Sequence, residues 1–203
     1  MVTLSIPPED TLRRIQRVQR ITIAWMTVEA ALSLWAAWRA HSPALAAFGG
    51  DSGVELLSAV VVLRRFRTRA PEQAERRAAR SAGGLLFALA VYVVLASALS
   101  LLGFIEPKPS YLGMAVLAAA TLIMPFLARE KRRLSALTGS AALRADAAES
   151  ALCAYLSVIA LMGLAVHAVW HIAWADPVAA LAITPLIVYE GREAMRGKAC
   201  GCC

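Results

Sequence analysis

Apolar and polar positions along this chain separate into long blocks rather than alternating. Six apolar stretches, residues 21–38, 44–63, 81–104, 111–128, 141–167 and 174–189, are divided by short charged segments. Several approach the ~20 residues that a helix needs to cross ~30 Å of hydrocarbon, and the last, being short, leaves little room for tilt. Such runs must be helical in lipid, where backbone N–H and C=O groups find no water to bond. The pattern therefore predicts an all-α polytopic membrane protein with six transmembrane helices. Pro7 and Pro8, followed by Glu9, Asp10 and Thr11, mark a helix start ahead of the first stretch. No small-residue cleavage site closes that stretch, which is unlike a cleavable signal peptide.

Charge supplies the orientation. Of the 21 Lys and Arg residues, all but Arg39 and Lys108 lie in the N-terminal segment, in the second and fourth connections (the fourth taken with Arg144 just beyond it) or at the C-terminal end. The alternation keeps step with six crossings, so the positive-inside rule places both termini in the cytoplasm. The formal net charge of +7 is then topological, with some attraction to anionic lipid headgroups, and nucleic acid is not an expected partner. Composition agrees with a lipid-embedded chain: 59% of residues are apolar and 17% charged, against about 45–50% and about 25% in soluble domains. On this reading residues 1–195 form the six-helix membrane domain and 196–203 a short Cys-rich cytoplasmic tail. The expected setting is a bacterial-type plasma membrane. No nucleotide-binding loop or catalytic triad is visible, so an enzyme is not expected.

Five acidic residues fall within the first, second and fifth apolar stretches: Glu29, Asp51, Glu55, Asp146 and Glu149. Charges at that depth are costly and mark a pathway or a site. Asp51 and Glu55 are four apart on the second span and share a helix face, and Glu149 and Cys153 repeat the spacing on the fifth. The two spans run in opposite directions. Antiparallel packing sets Asp51 near Cys153 and Glu55 near Glu149, close to mid-membrane. Three carboxylates with no arginine nearby repel one another, and a divalent cation removes the conflict. Two ligands from each of two helices give a four-coordinate site whose oxygen and sulfur donors suit zinc. The alternative reading of the same residues is a set of protonated acids hydrogen-bonded between helices.

Other polar residues read less sharply. Asp146 lies beside Arg144 at the start of the fifth span, first as an ion pair there and second as a further metal ligand. Glu29 reads equally as a proton-relay group or an interhelical hydrogen bond. His167, His171 and Asp176 read as an interfacial cluster with Trp170 and Trp174, with an outer metal-release patch as the alternative. His41 reads as a solvated loop residue. Cys200, Cys202 and Cys203 would be reduced in the cytoplasm and could chelate a soft ion such as Zn, Cd, Cu(I) or Hg; acylation near the membrane and no role at all are the other readings.

These residues resemble the transmembrane domain of the cation diffusion facilitator family. Asp51-Ser-Gly-Val-Glu55 is similar to the family's second-helix ligand pair. Leu143-Arg-Ala-Asp146-Ala-Ala-Glu149-Ser-Ala-Leu-Cys153 looks like its fifth-helix lead-in and ligand pair, and Ala175-Asp176-Pro177-Val-Ala-Ala-Leu181 like the start of its sixth helix. The likeness runs over about residues 10–195. It implies six transmembrane helices exporting zinc or a related divalent ion in exchange for protons, a homodimer, and no permanently bound cofactor. It also implies Asp51, Glu55, Glu149 and Cys153 as the metal ligands. The family's usual fifth-helix His and Asp appear here as Glu149 and Cys153. Its His-rich approach to the third helix is replaced by Glu75-Arg76-Arg77-Ala-Ala-Arg80, so no auxiliary loop site is expected, nor is a counterpart of its cytoplasmic C-terminal domain. Zinc is the expected cargo, because a Cys153 thiolate favours Zn and Cd, while three carboxylates pull towards Fe(II) or Mn. A membrane metal sensor or metal-binding protein is the rival from another class.

Overall fold

The computed structural model describes residues 9–68 and 72–195. They form six helices: α1 Glu9–Ala40, α2 Pro43–Thr68, α3 Glu72–Leu101, α4 Tyr111–Thr138, α5 Ala141–Trp170 and α6 Ala175–Met195. No strand occurs among the described residues. One helix carries each predicted span, and α1 to α5 each contain a segment long and apolar enough to cross a membrane. The shorter α6 packs along α3 and also touches α2 and α5.

Side chains are distributed inside out. Leu85, Val91 and Leu95 of α3, Phe126 of α4, and Tyr155 and Met162 of α5 are exposed, whereas Glu29, Asp51, Glu55, Lys131 and Asp146 are buried. In water that pattern would be doubly unfavourable; in hydrocarbon it places apolar surface against lipid and charge where it can be paired. The chain is an integral membrane protein.

Tight joints set the helix order. Ser42 caps α2 by accepting the Leu45 N–H at 3.1 Å, and Pro43 takes the first helical position, where no N–H is needed. Between α4 and α5 stand only Gly139, left-handed at φ 63°, and Ser140, which accepts the Leu143 N–H at 3.4 Å. A left-handed stop followed at once by a cap folds α5 back along α4. The third connection is tied to the first hairpin by the Lys108 N–H, which donates to the Ala40 carbonyl at 2.8 Å.

Packing places α2 centrally, against α1, α3, α5 and α6, while α4 lies on α5 and α1. At Gly163 the α5–α6 approach is so close that a Cβ would stand 2.4 Å from that of Ala179. The main core runs through Met26, Phe48, Leu117, Met124, Leu156 and Ile183. A second cluster, Ile15, Val18, Val62, Leu134 and Leu143, lies where α1 and α4 continue past their apolar stretches. Those charged turns stay helical because they still bury one face. Arg14 Nε joins Glu130 Oε1 across them at 2.6 Å.

The outer cluster corrects the sequence expectation. Asp176 is fully buried rather than interfacial. Its Oδ1 accepts the Ala44 N–H at 2.9 Å, so the start of α6 closes the first turn of α2. A buried helix start has N–H groups that must find acceptors, and this carboxylate supplies one. His167 is also buried, whereas His171, Trp170, Trp174 and His41 are exposed.

Candidate metal site

Two side-chain crossings define the register of α2 against α5. Ser52 Oγ lies 4.0 Å from Cys153 Sγ, and Ser150 Oγ donates to Glu55 Oε1 at 2.5 Å. Both agree, within one residue, with the antiparallel alignment read from the spacing. Asp51, Glu55, Glu149 and Cys153 are thereby brought into one layer of the bundle. Asp51, Glu55 and Cys153 are buried there, and Glu149 is partly exposed.

Within the layer the polar groups fall into three sets. In the first, Glu29 of α1 is fully buried, and its Oε1 accepts from Ser52 Oγ at 2.7 Å and from Cys153 Sγ at 3.6 Å. The interhelical hydrogen bond read for Glu29 is formed. The second set is a chain through Glu55, Ser150, Lys131, Asp146 and Gln19. Lys131 Nζ donates to Ser150 Oγ at 2.7 Å and stands 3.0 Å from Asp146 Oδ1 and 3.7 Å from Glu55 Oε1. Gln19 Nε2 closes the far side by donating to Asp146 Oδ2 at 2.6 Å. In the third set, Asp51 is hydrogen-bonded to Glu190 of α6, and Glu149 to Ser58 of α2. Among the described residues, no three His, Cys, Asp or Glu side chains converge closely enough to hold an ion as they stand.

Two expectations are corrected here. The carboxylates do have a neighbouring cation: Lys131, in the basic run that follows the fourth apolar stretch, is fully buried. It is turned inward because α4 continues to Thr138 and Lys131 lies on the buried stripe of Leu127, Ala128, Leu134 and Ser135. Asp146 pairs with that lysine and with Gln19, while Arg144 points outward and is exposed. Glu190 is a residue that sequence reasoning missed altogether. It stands one turn beyond buried Ile187 on α6, and that helical phase was the signal for it. Cys200, Cys202 and Cys203 lie outside the described residues.

Residues 20–197 match the family model described as the cation efflux transmembrane domain. The chain belongs to the cation efflux family. It is the family anticipated from the α2 and α5 motifs, one of transporters and not of enzymes. The match takes in α2 to α6 whole, so every α2, α4, α5 and α6 residue of the layer lies inside the cation efflux domain. The manganese efflux system protein MneS of Bacillus subtilis (strain 168) is 27% identical over 188 residues, covering 88% of this chain and 64% of that protein. The chain thus spans a little under two thirds of that relative's length.

Proposed function

We propose that this cation efflux protein exports a divalent metal cation from the cytoplasm by alternating access, with Asp51, Glu55, Glu149 and Cys153 as the ligands. One observation carries the reading: two pairs of ligand-type residues, each four apart, meet in a single layer between α2 and α5, with Asp51, Glu55 and Cys153 buried in it. Several carboxylates at membrane depth need positive charge beside them, and a divalent ion supplies more of it than any one side chain. Rocking of the helices around the layer would expose it to each side in turn. Ligands bind metal deprotonated, so loading releases protons and protonation from outside favours release. Proton exchange follows from the site's own chemistry, and metal affinity should weaken as pH falls. The alternating basic connections support both termini on the cytoplasmic side.

Manganese is the cargo that the donor set favours. Oxygen predominates, with Glu190 on Asp51 adding a carboxylate to the three already assigned, and oxygen donors suit hard ions. The name of MneS points the same way. Zinc is the second reading, and Cys153 Sγ in the same layer supports it. The test is uptake of Mn(II) and Zn(II) into sealed liposomes holding the purified full chain under a pH gradient. Uptake that follows the gradient and is lost in the fourfold alanine variant of the ligands is the expected result. Metal binding without uptake would replace the exporter with a sensor.

A further inference from the structure

We propose that Lys131 is a tethered counter-cation that competes with the transported metal for Glu55. The proposal rests on the ligand assignment above and adds to it a residue from a third helix. A lysine is rarely buried completely, because stripping water from an ammonium is expensive unless opposite charge and hydrogen-bond acceptors replace it. Here both are present, and they differ in kind. Asp146 lies outside the proposed ligands, 3.0 Å from the ammonium, and is closed off behind by Gln19. Glu55, 3.7 Å away, is one of the proposed ligands.

Ser150 links the two sides of this fork. Its hydroxyl accepts from Lys131 Nζ at 2.7 Å and donates to Glu55 Oε1 at 2.5 Å. A metal ion seated on Glu55 would therefore stand within a few ångströms of a fixed positive charge. In a partly buried site that repulsion is large. The ammonium has somewhere to go: on its flexible four-carbon stem it leans towards Asp146 when metal arrives and shares Glu55 again when metal leaves. Glu55 then has a cationic partner at every stage of the cycle. The cost is a metal affinity lower than the carboxylates alone would give, which suits a protein that must release its cargo. If the Lys131–Asp146 pair were only a staple between α4 and α5, removing both charges would leave metal affinity where it was or weaken it.

The experiment is calorimetric titration of the purified full chain with MnCl2 and with ZnCl2. The double variant Lys131→Met with Asp146→Asn removes the ammonium without stranding a buried carboxylate. It should bind both metals tighter by on the order of 10-fold or more. Lys131→Gln, which keeps an N–H donor for Asp146 and Ser150, is the second route should the double variant fail to fold, and it should tighten binding in the same sense. Lys131→Arg, which keeps the charge, should give no tightening. A folded neutral variant that binds no tighter than the wild type overturns the role of Lys131, as does equal tightening in Lys131→Arg. Asp51→Asn is measured alongside. If it binds as well as the wild type, the ligand assignment itself fails and this proposal falls with it; if it binds weakly while the neutral Lys131 variants are unchanged, only the role of Lys131 is lost.

Discussion

Lys131→Met alone gives a sharp test of how the charged layer is held. The substitution keeps much of the side-chain volume and removes the positive charge facing Asp146, which is fully buried and hydrogen-bonded by Gln19. Breaking a buried ion pair from one side costs about 3–5 kcal/mol, because the remaining charge is left uncompensated. The reverse substitution, Asp146→Asn, should cost less, on the order of 1–3 kcal/mol, since Lys131 keeps Ser150 at 2.7 Å and has Glu55 at 3.7 Å to lean on. Removing both charges together should be close to neutral, as is often found when a buried pair is replaced by neutral groups of similar size. The three variants form a double-mutant cycle read by thermal unfolding in detergent. A chain of this length shifts Tm by roughly 2–4 °C per kcal/mol, so Lys131→Met should lower Tm by about 6–20 °C and the double variant by only a few degrees. Additive losses would refute the reasoning, because they would mean that the two residues act on stability separately. A Lys131→Met protein as stable as the wild type would refute the burial argument outright.

Three further outcomes are expected. An impermeant thiol reagent should leave Cys200, Cys202 and Cys203 unlabelled in intact cells and label them after lysis; labelling of intact cells would reverse the orientation. Cys153→Asp keeps a negative donor and removes sulfur, so transport of Cd and Zn should fall relative to Mn if the thiolate is a ligand; unchanged metal preference would make Cys153 a packing residue beside Glu29. Gly163→Ala introduces a Cβ 2.4 Å from that of Ala179 and should destabilise the α5–α6 contact by about 1–3 kcal/mol through overpacking, whereas Gly84→Ala, where a Cβ meets nothing within 4 Å, should show no such loss in the same melting assay.

Hydropathy made the six helices legible because lipid imposes one simple rule on all of them. It located α4 and α5 at their first residues, Tyr111 and Ala141, where apolar runs begin directly after Ser110 and Ser140. It could not show how far a helix continues into water. α1 starts at Glu9 and α4 runs on to Thr138 because Ile15, Val18 and Leu134 form a satellite core among the arginines. The α2–α5 half of the candidate site was legible for a similar reason, since a spacing of four on two antiparallel helices leaves few ways to pair. Lys131 was hidden by its neighbours in sequence. In the run Arg129-Glu130-Lys131-Arg132-Arg133 it looks like one more loop charge, and only its phase with Leu127 and Leu134 points it inward. Asp146 was misread through the same habit of pairing charges that are adjacent in sequence, when its real partners come from α1 and α4.

The bond from Asp176 to Ala44 has a mechanical consequence. It pins the first turn of α2 to the start of α6. Movement of α2 about that joint would be smallest beside it and would grow along the helix. At 1.5 Å per residue, 26 residues of α2 make a lever of about 39 Å. A swing of about 10° would carry its far end through roughly 7 Å while moving Asp51 and Glu55, only 8 and 12 residues from Pro43, through roughly 2–3 Å. Small adjustments among the carboxylates would thus accompany a wide sweep at the opposite face, so one pivot gives both a fine movement and a coarse one.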